Sequence, residues 1–97
     1  MTNAAPVAER ALFDAALAWR LHPQVALRDE AFGALAYHYG NRRLGVLKSR
    51  ALVELVRSLE QYGSAADAID AIAPPGEAQR YRATLARLCR SEVIDVR

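Results

Sequence analysis

From Trp19 the chain alternates: Leu21, Pro23, Val25 and Leu27 are interleaved with Arg20, His22, Gln24 and Arg28, Ala26 being neutral. A period of two sends successive side chains to opposite faces of an extended chain, so this stretch predicts a first strand ending in a turn at the polar Arg28-Asp29-Glu30. Phe32 to Tyr39 is rich in aromatics, Gly40-Asn41 suits a two-residue turn, and Arg42 to Lys48 resumes extended character. Together these predict a β-hairpin. A loop at Gly40-Asn41 sets Tyr39 opposite Arg42, Tyr37 opposite Leu44 and Leu35 opposite Val46. Those residues then share a large apolar face, while Ala34, Ala36, His38, Arg43, Gly45 and Leu47 share one small and polar enough to meet water.

After Ser49 the period changes. Leu52, Leu55, Val56 and Leu59 recur at i, i+3, i+4 and i+7, a helical stripe that Ser49 caps and Gly63 stops. Ser64 with Asp67 three residues on resembles a capping box; it opens a short second helix carrying Ile69 and Ile72 and ended by Pro74-Pro75-Gly76. Glu77 to Arg90 predicts a third helix, with Ala78, Tyr81, Leu85, Leu88 and Cys89 on one stripe and Arg80, Arg87 and Arg90 opposite. Glu92 to Val96 alternates as a short extended segment would. Three antiparallel strands followed by three helices make a small α+β fold with helices over one sheet face.

Upstream, residues 1–18 are Ala-rich, and Leu12, Phe13, Ala16 and Leu17 fit helical spacing, but Pro6 and the small side chains leave little to anchor them. A flexible arm or one short helix is expected there, with the folded domain at 19–97. A chain of 97 residues carries one core rather than two. Its 53% hydrophobic and 25% charged residues are a globular balance, which argues against disorder away from the ends. The net charge of +2 would attract acidic partners, yet it falls short of the Lys/Arg density of nucleic-acid domains. One cysteine cannot form an internal disulfide and fits a reducing compartment, so the cytoplasm is expected. Glu9, Arg10 and Asp14 interrupt the apolar stretches near the start, and no run approaches a membrane span.

Catalytic chemistry finds little support. His22 and His38 lie in predicted strands with no cysteine or carboxylate at metal-ligand spacing, so no metal site is read. Cys89 sits on an apolar helical stripe, where a small buried hydrophobe is the ordinary role. Gly33, Gly40 and Gly45 are spaced for a hairpin and not for a phosphate loop. The acidic pairs Asp29-Glu30 and Asp67-Asp70 fall in a turn and on a short helix, as solvated surface would.

Binding is better served. The third predicted strand, Arg42 to Lys48, has an outer edge with no partner elsewhere in the sequence, and an open edge is protected or used. An extended peptide could add there as a further strand, contacting Arg42, Arg43, Leu44, Gly45, Val46, Leu47 and Lys48. The third helix could wall the groove with Tyr81, Leu85 and Cys89 as apolar contacts and Arg82 at the margin. The same apolar residues read equally well as plain core.

The run from Trp19 to Arg28, continued by Phe32 to Leu44 and by Leu47-Lys48-Ser49, resembles the mycofactocin biosynthesis chaperone family. That family is similar to the PqqD-like recognition elements of ribosomally made, modified peptides. The resemblance spans Trp19 to the C-terminus and leaves out residues 1–18 and Pro74-Pro75. It implies a winged helix-turn-helix-like fold that binds a precursor's leader peptide between the third strand and third helix. It further implies that the ligand is the acidic leader of the mycofactocin precursor, and that the partner is a radical S-adenosylmethionine maturase acting on the precursor's C-terminal Val and Tyr. With a single cysteine the chain carries no three-cysteine cluster motif, so no cofactor of its own is expected and the radical chemistry falls to the partner.

Two other readings compete. A winged-helix DNA-binding protein could lay Arg80, Arg87 and Arg90 along a phosphate backbone, although here the hairpin precedes the helices and the charge is low. A small structural or adaptor domain could bind other proteins through its Ala-rich N-terminal arm and C-terminal segment, without peptide specificity. An enzyme has the least support, and neither a nucleic-acid nor a membrane partner is expected.

Overall fold

The computed structural model describes residues 12–97. Its strands are β1 (Trp19–Leu21), β2 (Val25–Glu30), β3 (Gly33–His38) and β4 (Leu44–Leu47). Helices α1 (Arg50–Ser58), α2 (Ala65–Ile72) and α3 (Ala78–Arg90) follow, with a 3-10 turn at Leu59–Gln61 after α1, and β5 (Ile94–Val96) closes the chain. The three-stranded antiparallel sheet β2-β3-β4 and three helices make an α+β fold. No helix among the described residues is long and apolar enough to cross a membrane.

The predicted first strand is two strands. Pro23 fits the second position of a turn, and Val25 N–H donates to the His22 carbonyl at 2.9 Å, breaking the run after Leu21. β1 then pairs with β5, Trp19 opposite Val96 and Leu21 opposite Ile94, in a separate two-stranded ribbon. Arg28, Asp29 and Glu30 are strand, paired with Leu35, Ala34 and Gly33, and the turn falls one step later at Ala31-Phe32. Gly33 has φ +150°, and a Cβ there would collide with the Leu47 carbonyl, so only glycine fits.

The hairpin has the predicted register, with Leu35 opposite Val46 and Tyr37 opposite Leu44. Its faces are the reverse of expectation. Ala34, Ala36, His38 and Leu47 are buried, while Tyr37, Leu44 and Val46 are exposed. Helix α1 packs on β3, and alanines let its backbone come close, so Leu52, Leu55 and Val56 supply the volume that the sheet omits.

Helix ends follow local chemistry. Ser49 Oγ accepts Leu52 N–H at 3.0 Å and Ser64 Oγ accepts Asp67 N–H at 3.1 Å, each satisfying a first-turn donor. Helix α1 does not run to Gly63; it tightens into the 3-10 turn, whose end is held from outside. The Arg97 guanidinium donates to the carbonyls of Glu60 (2.7 Å) and Tyr62 (2.9 Å), which no helical N–H reaches. Residues 13–18 pack on the domain: Phe13 lies 5.1 Å from the Trp19 ring, Trp19 Nε1–H donates to the Asp14 carbonyl, and the Leu17 and Ala15 carbonyls accept from Ala65 and Ala66. Expectations for residues 1–11 lie outside the described residues.

Candidate functional site

β4 is an outer strand of its sheet. His38 N–H donates to the Arg43 carbonyl at 2.9 Å, and antiparallel ladders alternate, so the backbones of Arg43, Gly45 and Leu47 face β3. Those of Leu44, Val46 and Lys48 face away from the sheet. The edge opens on a groove of about 790 Å³. Val46 and Lys48 form its strand side, Ser49, Ala51 and Leu52 its floor, and Glu77, Arg80, Tyr81, Thr84 and Arg87 of α3 and its approach its far wall, with Pro74 beside them.

Glu77, Arg80, Thr84 and Arg87 recur three and four apart, so they stand on one face of α3. Arg80 pairs with Glu77 at 3.3 Å, whereas Lys48 and Arg87 have no ion pair among the described residues, leaving the groove basic. Tyr81 is buried, its hydroxyl 3.1 Å from Ser49 Oγ. Ser49 also caps α1, so one serine ties the end of β4, the start of α1 and the wall together.

Of the residues singled out from sequence, Val46, Lys48 and Tyr81 line the groove. Leu47, Leu85 and Cys89 are core side chains behind it. Burial pushes the Cys89 thiol up, aided by Asp95 and opposed by Arg90, so it stays neutral. Leu44 is exposed and Gly45 half-buried on the strand itself, Arg82 is exposed on α3, and Arg42 and Arg43 are exposed at the hairpin turn, Arg42 with φ +62°. Sequence reasoning missed Ser49, Ala51, Leu52, Thr84 and Glu77 as groove residues. It also set Arg80 and Arg87 on the face opposite the apolar stripe, where nothing in the pattern marks a groove. A second cleft, of about 390 Å³ between the β2–β3 turn and α1, is spanned by the Arg57–Asp29 ion pair at 2.8 Å.

The fold joins two histidines that spacing keeps apart. The His22 and His38 rings lie 4.4 Å apart, tilted by 44°, and with Glu92 their potential ligand atoms lie within 4.8 Å of one another. Each Nδ1 is committed: His22 accepts Gln24 N–H, and His38 accepts Gly40 and Asn41 N–H. The ring proton of each neutral imidazole therefore sits on Nε2, which offers a donor and not a lone pair. As bonded here, each Nε2 carries a donor rather than a metal lone pair, and that of His38 is buried without a hydrogen-bond partner among the described residues.

A small α+β domain whose open strand edge faces a helix across a basic groove has the form of a binding module. Residues 18–95 match the family model described as the Peptide chaperone MftB family, and the chain belongs to that family. It is 44% identical over 89 residues to the Peptide chaperone MftB of Mycolicibacterium smegmatis, covering 91% of this chain and 87% of the relative. The protein of the same name from Mycobacterium tuberculosis is 51% identical over 55 residues, 57% of this chain and 50% of that one. That of Mycobacterium ulcerans is 54% identical over 50 residues, 52% of this chain and 46% of that one. No solved structure matches the chain.

Proposed function

We propose that this domain binds the acidic leader of the mycofactocin precursor as an added strand along β4, facing α3, and presents it to the radical S-adenosylmethionine maturase. The observation that carries this reading is the open β4 edge, with the Leu44, Val46 and Lys48 amides turned outward across a groove walled by Arg80 and Arg87. Backbone bonds along such an edge contribute about 1 kcal/mol net apiece and are indifferent to sequence. Selectivity then comes from the walls: Leu52 and Tyr81 take apolar side chains, and Lys48, Arg80 and Arg87 take carboxylates. Arg42, Arg43, Leu44, Gly45 and Leu47 belong to the site as the strand and its turn, Arg82 as a flanking charge, and Leu85 and Cys89 as its backing. The domain's contribution is positional: it holds the substrate at high local concentration beside the enzyme that transforms it.

The test is fluorescence anisotropy of a labelled synthetic leader titrated with the protein at low and moderate salt, with random duplex DNA as competitor. Saturable binding that DNA does not displace is the expected result. Failure to bind leader, with salt-sensitive binding of DNA, would replace this reading by the winged-helix DNA binder.

A further inference from the structure

Among the described residues nothing covers the outer face of the β2-β3-β4 sheet, which is largely apolar. Tyr37 sits opposite Leu44 and Ala26, and Leu35 opposite Val46 and Arg28, so these side chains share one face. Tyr37 is 36% exposed, Val46 43%, Leu44 63% and Tyr39 64%, and Tyr39 meets Tyr37 edge-on at 5.1 Å. Two aromatics locked edge to face beside aliphatic neighbours make a stiff, low-entropy contact surface of the kind that anchors protein interfaces.

The charges around this patch select its occupant. Arg28 stands on the face itself, Arg42 and Arg43 at its turn end, and Lys48 at the opposite end of β4. Only Arg28 is neutralised, by Glu30 at 2.8 Å; Arg42, Arg43 and Lys48 have no ion pair among the described residues. A second copy laid face to face would set these cations against each other, whereas an apolar surface rimmed with Asp and Glu would meet them. The face also adjoins the groove. A peptide strand added to β4 lies flush with it, because the residues with outward amides, Leu44 and Val46, carry their side chains on this face.

We infer that this sheet face docks a folded protein surface with an apolar centre and a carboxylate rim, and that the surface belongs to the maturase receiving the leader. The inference rests on the leader-delivery reading; Val46 and Lys48 border both the groove and this face, whereas Tyr37 and Tyr39 lie outside the groove. The test is the double variant Tyr37→Lys, Tyr39→Lys, checked for an unchanged melting curve. Leader binding is measured by anisotropy, maturase binding by biolayer interferometry, and self-association by sedimentation velocity. The expected result is leader affinity within about twofold of wild type and maturase affinity lowered by about tenfold or more, since two aromatic anchors are lost. Maturase affinity unchanged in the variant overturns the proposal, and so does a wild-type dimer that the variant disperses, which would make a second copy the occupant. If the wild type binds no leader, the groove reading fails by itself; loss of maturase binding in the variant would still assign this face.

Discussion

At Val46 the backbone N–H lies outside the β3–β4 ladder. Its N–H faces away from β3, so replacing it with proline removes no ladder bond, while the N–H of Gly45, one residue earlier, faces β3. Val46→Pro is therefore expected to keep the fold and lower leader affinity by about tenfold or more, because proline removes a donor and its ring obstructs the incoming strand. Gly45→Pro is expected to unfold the hairpin. Far-UV circular dichroism beside anisotropy checks both, and leader binding retained by a folded Val46→Pro protein would take the β4 edge out of the site. This contrast was not legible in the sequence: a two-residue Gly40-Asn41 loop would make Tyr39 and Arg42 the bonded pair, whereas His38 N–H donates to the Arg43 carbonyl and Arg42 N–H to the His38 carbonyl, so a longer loop keeps the residue pairing but reverses which amides point outward. Nor was the direction of the side chains. Bulk at Leu35, Tyr37, Leu44 and Val46 reads as core, but the core is closed by helix side chains packing onto alanines, a tertiary choice that the strand pattern does not contain.

Among the elements, α3 holds the groove's charge. Arg80 and Arg87 line it, while Arg90, on the same helix, is exposed and does not. Reversing Arg80 and Arg87 to Glu is expected to weaken leader binding by roughly tenfold or more at low salt, and the difference should shrink as ionic strength rises toward 1 M, where screening acts within about 3 Å. Arg90→Glu also reverses a charge, yet should change affinity less than about twofold. If Arg90→Glu weakens binding as much per charge, net charge and not the groove governs recognition. The three helices were readable because caps and stripes are local: Ser49 and Ser64 bond as their spacing predicts. The splitting of β1 from β2 was not, since β1 is defined by a partner over seventy residues away in sequence, Ile94–Val96, and alternation is blind to which strand lies alongside. The groove shared that fate. Its floor and wall come from two separate helices, α1 and α3, with Pro74 beside them, and polar residues on α3 look like solvated surface until β4 lies across from them.

For the whole molecule, the C-terminal strand closes on the segment that leads into β1. Arg97 N–H donates to the Ala18 carbonyl at 2.9 Å, the β1–β5 ribbon lies beside the 3-10 turn, and the Ala15 and Leu17 carbonyls receive the first N–H groups of α2. Residues 13–18 thus complete the core side away from the groove, with Ala15 buried and Phe13 against Trp19. Deleting residues 1–11 and deleting residues 1–18 should therefore differ sharply. The shorter deletion is expected to leave melting temperature and leader affinity unchanged. The longer one exposes Trp19 and frees the Ala65 and Ala66 N–H groups, a loss of about 2 kcal/mol that should lower the melting temperature by roughly 10 °C. Leader affinity of the protein that remains folded should stay the same in both, because no described residue upstream of Arg42 belongs to the proposed site. Differential scanning calorimetry paired with anisotropy reads both quantities. Loss of leader binding on removal of residues 1–11, with the melting curve intact, would place the peptide on the arm and put an adaptor reading ahead of the groove.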